Sequence, residues 1–252
     1  MLTRRHVLHL IAGGAALAGV RPATAGEGRI DRLIEKSSAL PTIGLRIDFI
    51  SRALIGTRYR ADTLIGGPHR RERMVVRDDC FDCVTYCETV LAAAVARTPS
   101  GFVPALRYIR YHDGMVEWRA RNHYFFEWSE RNVANWTCRD ITMDGAVELD
   151  KNVDWHRALG RRHFAMHVIP STTFLANRAE LATGDIVGFV TRRPYLDYFH
   201  IGFVAFGPHG EFLLRHASRS HGRVLDENMH HFVRVNRARY VTLLRPLEPV
   251  WI

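Results

Sequence analysis

The stretch Asp82-Cys83-Val84-Thr85-Tyr86-Cys87 decides the reading of this chain. From it onward, Val84, Cys87, Leu91, Ala94 and Val95 recur at helical spacing, which predicts a helix over Cys83 to Arg97 with one face in the core. Asp79 or Asp82 offers a side-chain oxygen to the free N–H groups at its start. Thr98-Pro99-Ser100-Gly101 stops it. Cys83 then sits at the positive end of the helix dipole, a position that acidifies a thiol. Far downstream, Phe199-His200-Ile201-Gly202 and Arg215-His216-Ala217-Ser218 place two histidines in strand-like contexts. A histidine beside the sulfur completes a nucleophile for carbonyl carbons, and a second can orient the first. Cys87, one turn on, reads as core filling.

Working outward, Ile30 to Ala39 and a piece carrying Ile47, Ile50 and Leu54 read as helices, parted by Pro41 and Gly44 and ended by Gly56. Gly66-Gly67-Pro68 and the charge run Arg70 to Asp79 read as a solvated loop that delivers the chain to Cys83. Phe102 to Tyr111 reads as a short helix, followed by a turn at Asp113-Gly114. Arg121 to Trp128 is dense in aromatic and polar groups, which suits either a substrate groove or core filling. In the last third, Asp185–Thr191, Phe199–Phe206, Glu211–His216 and Tyr240–Leu244 are strand candidates. Gly207-Pro208-His209-Gly210 closes the second and third into a hairpin that brings His200 and His216 to nearby strands. Helices first and antiparallel strands after predict an α+β fold, helices packed on an antiparallel β-sheet with the cysteine at a helix N-terminus. With no repeat or linker, residues 26–252 read as a single domain.

Residues 1–25 read as a signal peptide. Thr3-Arg4-Arg5 supplies paired arginines, Leu10 to Val20 is short and mildly apolar, and Ala23-Thr24-Ala25 is a small-residue cleavage site. Paired arginines before a mild apolar core suggest the twin-arginine route, so the expected location is periplasmic or secreted. No later segment is apolar for long enough to span a bilayer. The formal charge is +9 over 252 residues, of which Arg4, Arg5 and Arg21 belong to the leader. The remaining basic groups are scattered arginines, with Lys36 and Lys151 the only lysines. That pattern lacks the patch or motif expected of a nucleic-acid binder, whereas a modestly positive surface suits an anionic polymer.

The cysteines and histidines admit other chemistries. Cys80-Phe81-Asp82-Cys83 is formally a C-x-x-C, but charged, loop-like residues precede it where a redox motif wants a strand. An exported protein can keep disulfides, so a Cys80–Cys138 bridge is one reading. His163-Phe164-Ala165-Met166-His167 would set two imidazoles on one helix face, yet Phe164 stands where a zinc protease needs its glutamate. The residues call for no metal and no other cofactor.

Asp82-Cys83-Val84-Thr85-Tyr86, Arg121-Asn122-His123, Gly184-Asp185-Ile186, Asp197 with His200-Ile201-Gly202, and His216-Ala217-Ser218 follow one another in an order that resembles the NlpC-type, papain-like cysteine peptidases of bacterial cell walls. Within these the chain is most similar to the N-acetylmuramoyl-L-alanine amidase-like branch, over roughly residues 45–245. The resemblance implies a circularly rearranged papain-like fold with Cys83 as nucleophile, His200 as general base and acid, and His216 as the orienting member. It also implies Asn122, Asp82 and Asp197 as substrate-side residues, and peptidoglycan or muropeptides as partner. The implied reaction is cleavage of the amide between muramic acid and L-alanine through a thioester. The chain departs from the family pattern at Cys87, usually apolar, and at Arg58, which replaces the proline of a Gly-Thr-Pro-Tyr motif. The hairpin between the histidines is also longer than in many relatives.

Three alternatives stand beside this reading. An NlpC-type endopeptidase would cut the D-γ-glutamyl–diamino acid bond in the stem peptide. A papain-like lipid acyltransferase would use the same triad, though export argues against it. A catalytically inactive wall-binding module would not keep Cys83, His200 and His216 together.

Overall fold

Caps fix where the helices begin. In the computed structural model, which describes residues 27–142, 145–154 and 156–249, helix α1 (Glu27–Ser37) gives way at Pro41 to α2 (Ile43–Ala53). Thr42 starts α2 by accepting the Leu45 N–H on its hydroxyl. The leader read at residues 1–25 lies outside the described residues. The chain continues through β1 (Arg58–Tyr59), β2 (Ile65–Gly67), β3 (Arg70–Arg73) and β4 (Cys80–Phe81) into α3 (Cys83–Ala96). Then come α4 (Pro99–Arg110), α5 (Phe125–Ala134), β5 (Cys138–Asp140), β6 (Val147–Val153), β7 (Arg162–Pro170) and α6 (Ser171–Ala176). The last part holds β8 (Ile186–Val190), β9 (Tyr198–Phe206), β10 (Phe212–Ser218), β11 (Arg223–Asn228), α7 (Met229–Val235) and β12 (Tyr240–Pro246).

Ten of these strands make one sheet in the order β4-β1-β11-β10-β9-β8-β12-β7-β6, with β5 also on β12. Only β1–β4 pairs in parallel. The fold is therefore mixed α+β on an antiparallel-dominated sheet. Strand alternation splits the interior in two. Ile186, Ile201, Phe203 and Ala217 face the core shared with α1 to α5. Val187, Phe189, Val204 and Leu214 face a second core closed by α6 and α7.

Several elements differ from the sequence reading, each for a local reason. The charge run is not all loop. Its Arg70–Arg73 stretch pairs with β2, and Glu72 is only 6 % exposed, accepting from the Tyr111 hydroxyl at 2.9 Å and Arg121 Nη1 at 3.0 Å. Thr98-Pro99 both ends one helix and starts the next: Arg97 takes a left-handed C-cap, Thr98 caps α4, and Pro99 fits its first turn. The helix carrying Cys83 has no solvent face, since every residue from Thr85 to Ala94 is buried. His163 and His167 lie on strand β7, not on a helix, so the metal-helix premise fails. Much of the aromatic stretch fills the core: Tyr124, Phe125 and Trp128 are buried, with Phe125 stacked on Trp128 at 5.4 Å. Cys80, Cys83, Cys87 and Cys138 are unbridged, so neither the redox pair nor the Cys80–Cys138 bridge is formed.

Candidate active site

Asp82 sets the start of α3. Its Oδ1 accepts the Thr85 N–H at 2.7 Å, and the Thr85 hydroxyl accepts the Asp82 N–H at 3.0 Å, a reciprocal cap. Cys83 is thereby the first residue of a helix whose free N–H groups surround its sulfur. The N–H groups of Cys83 and Val84 donate toward it, as does the N–H of Ile201 on β9. That last donor has a structural origin. Val204 bonds the β8 side of the sheet through both its backbone groups, so Ile201, three residues away, turns its N–H toward β10. The β9–β10 ladder ends at Phe203–Arg215, so this N–H, which β10 no longer meets, is left to the side of the sulfur. Cys83 is half-buried, whereas Cys80, Cys87 and Cys138 are buried.

Where the two strands part, their histidines join. His200 Nε2 lies 2.6 Å from His216 Nδ1, with the rings perpendicular and 4.7 Å apart. Phe232 of α7 backs both rings. An extra residue on β9 places His200: Tyr198 pairs with Val190 and His200 with Phe189, which leaves Phe199 as a bulge. Gly202 lets His216 in close. A Cβ at Gly202 would stand 2.7 Å from Leu214 Cδ1, 3.0 Å from the Arg215 carbonyl oxygen and 3.0 Å from His216 Cβ. Gly202→Ala is expected to push His216 off its partner, lowering kcat at least about tenfold and stability by about 1–3 kcal/mol. Kinetics with urea denaturation of the same preparation would check this, and an unchanged kcat would refute the positional argument.

The protonation states differ from the acidified thiol read in the sequence. Burial pushes the Cys83 thiol up to about 12, helped by the Asp82 carboxylate and opposed by the three N–H groups. Burial, then the neighbouring His216, holds His200 well below the usual histidine value. Burial takes His216 down to about 4, with His221 adding to the effect and Asp226 opposing it. The two resting groups are thus a thiol at Cys83 and a neutral imidazole at His200, because desolvation outweighs the helix end. His200 bonds to His216, and among the described residues no hydrogen bond joins it to the sulfur. Glu227 Oε2 lies 3.2 Å from His216 Nε2 but off the line of a hydrogen bond.

The other sequence-selected residues make these contacts within the fold. Asp197 is 1 % exposed and accepts the Phe126 N–H at 2.7 Å, capping α5, whose N-cap Tyr124 makes no side-chain cap. Asn122 Nδ2 donates to the Ile109 carbonyl, while its buried Oδ1 has no hydrogen-bond partner. Asp82 is the helix cap already described. Two residues near the site went unnoticed in the sequence. One is Glu227. The other is Tyr59, held on β1 beside β4, whose hydroxyl is pushed up by burial first and then by the charges of Cys83 and Asp82. The Gly56-Thr57-Arg58-Tyr59 motif was the available signal for it.

The family model for AmiA-like, N-acetylmuramoyl-L-alanine amidase-like proteins matches residues 49–239, a span that contains Cys83, His200 and His216. The chain belongs to the N-acetylmuramoyl-L-alanine amidase-like family. Among solved structures, a Legionella pneumophila protein is similar with a TM-score of 0.75 at 21 % identity, over 89 % of this chain and 97 % of that one. An N-acetylmuramoyl-L-alanine amidase from Bacteroides uniformis is similar with a TM-score of 0.69 at 22 % identity, over 82 % of this chain and 99 % of that one. At such identities the likeness speaks to the fold, and the amidase-like family shares it. No curated protein matches this chain.

Proposed function

We propose that the protein is an exported, papain-like cysteine hydrolase of the NlpC type that cuts the amide joining N-acetylmuramic acid to L-alanine in peptidoglycan fragments. The observation that carries this reading is the Cys83 sulfur against the Ile201 N–H, one residue from a histidine bonded to a second histidine. Membership of an amidase-like family supplies the substrate class, and the leader-like residues 1–25 supply the route to the periplasm or beyond.

The tautomers give the chemistry its direction. We assign the His216 proton to Nε2, the nitrogen that faces the Glu227 carboxylate, so that His216 Nδ1 accepts from His200 Nε2–H. His200 Nδ1 is then the free base. As Cys83 sulfur bonds to the lactyl carbonyl carbon, its proton passes to His200 Nδ1, so a neutral pair becomes charged only on the way to the transition state. The carbonyl oxygen becomes an oxyanion facing the Cys83 backbone N–H and the Tyr59 hydroxyl, each donor contributing about 3 kcal/mol if aligned. Collapse breaks the C–N bond, and His200 gives its proton to the departing alanine nitrogen. Water then adds to the thioester, His200 taking one of its protons and returning it to the sulfur as the lactyl acid leaves.

Because burial and His216 lower the His200 pKa, its imidazole stays unprotonated at pH values where an ordinary histidine is charged. The acid limb of kcat/KM is therefore expected below pH 6.5, with activity at pH 6 close to that at pH 7.5. A limb at or above 6.5 would refute the buried neutral base. Mass spectrometry of products from defined muropeptides decides the bond. Free stem peptide beginning with L-alanine supports the amidase reading, and a split inside the stem gives the endopeptidase instead.

A further inference from the structure

One residue along β9 from His200, Phe199 lines a cleft of about 770 Å³ that the reaction above does not use. It opens at the same end of the sheet, where β8 ends and β9 and β12 begin, and Phe199, the bulge residue next to His200, lines it. Lys151, Arg192, Arg193, Arg237 and Arg239 also line it, against one carboxylate, Asp150. Asp150 lies 3.1 Å from His163. Among the described residues, none of the four arginines has a carboxylate within ion-pair distance. These four are exposed, unlike the buried, acid-paired Arg46, Arg110 and Arg215. Lys151 is fixed by donating to the Thr191 carbonyl, and Arg237 sits at a left-handed position (φ 50) that a β-carbon disfavours. Four exposed arginines and Lys151 give this concavity a positive wall of the kind that binds carboxylates.

We propose that this cleft binds the carboxylates of the leaving stem peptide, so that the enzyme selects acidic stems whose carboxylates are free over stems in which they are amidated or crosslinked. The inference rests on the proposed reaction for its placement: the stem is the amine product, and it must leave the sulfur on one side. Phe199 links the two places, since it is the bulge residue next to His200 and also lines the cleft, so a stem leaving past it runs toward the arginines. A γ-linked glutamate leaves its α-carboxylate unblocked, and the stem's terminus carries another, which suits several guanidinium groups better than one.

The test uses the full-length Cys83→Ala protein and titration calorimetry with two synthetic stem peptides, one with free carboxylates and one with all of them amidated. The acidic peptide is expected to bind at least about tenfold more tightly. The preference should weaken with salt and vanish in Arg192→Gln/Arg239→Gln, two exposed side chains whose loss leaves the core intact. Equal affinity for the two peptides, binding of neither, or binding of inorganic phosphate without the acidic peptide overturns the proposal. Kinetics of the otherwise wild-type protein separate the two ideas. Acid-selective binding with no muropeptide cleavage would sink the reaction and leave the cleft. Cleavage with equal kcat/KM on acidic and amidated stems would sink the cleft and leave the reaction.

Discussion

The Cys83→Ala protein is expected to release no stem peptide from defined muropeptides, a fall in kcat/KM of about 10⁴-fold or more. It should melt close to the parent temperature. The substitution removes one half-buried sulfur, and the cap that starts α3 belongs to Asp82 and Thr85, which remain. Retained folding is what gives the result meaning, because activity lost with the fold would say nothing about the thiol. Two further arms separate the alternatives. A chelator should leave wild-type turnover untouched, and turnover that disappears with one would point to metal chemistry. Iodoacetamide should modify Cys83 alone in the native protein, since Cys80, Cys87 and Cys138 are buried. Labelling should be slow without substrate, because the resting sulfur is a thiol. Turnover surviving the alanine change would remove the proposed mechanism. Selective labelling without any turnover would favour a wall-binding role.

Breaking the Glu88–Arg110 pair is expected to give the largest stability change available from one substitution near the site. Glu88 Oε2 and Arg110 Nε are 2.7 Å apart, and both side chains are 2 % exposed. Arg110 also donates to the Val75 carbonyl at 2.7 Å, on the segment that runs to β4 and Cys83. Burial raises the Glu88 carboxyl and the Arg110 charge lowers it, with burial prevailing. The pair is thus held by each partner's need for the other more than by net attraction. Arg110→Met leaves a carboxyl stranded in the core and frees the Val75 carbonyl, at a cost of about 3–5 kcal/mol. Glu88→Gln/Arg110→Met removes the stranded charge and is expected to regain about half of that or more. Urea denaturation of the wild type and both variants measures this. A double variant no more stable than Arg110→Met would mean that the Val75 link, and not the charge pair, holds the segment.

The sequence made some of this legible. The cysteine helix could be read because its breaker and cap are local: Asp82 and Thr85 lie three residues apart, and Thr98-Pro99 follows. The strands around His200 and His216 could be read because they are central and carry apolar runs, Ile201 to Phe206 and Phe212 to Leu214. β6, β7 and β11 escaped for the opposite reason. β6 and β11 are rich in charge, β6 is mostly exposed, and β7 alternates buried with exposed residues toward one edge of the sheet. Glu72 looked solvated within its charge run because its partners, Tyr111 and Arg121, are about 40 to 50 residues away. The thiol state was misread for a related reason. A helix end is visible in a sequence, but the burial that outweighs it is assembled from distant strands.

The enclosure of α3 bears on how this protein meets its substrate. A helix wrapped on every side has no cheap way to shift or fray, and its residues open only with the molecule as a whole. The sulfur at its tip is therefore held at a fixed address before any substrate arrives, and the entropy of placing it has already been lost in folding. In the proposed reaction, any give would fall to the exposed turn between β8 and β9, Arg192 to Tyr195, while the proposed nucleophile stands still.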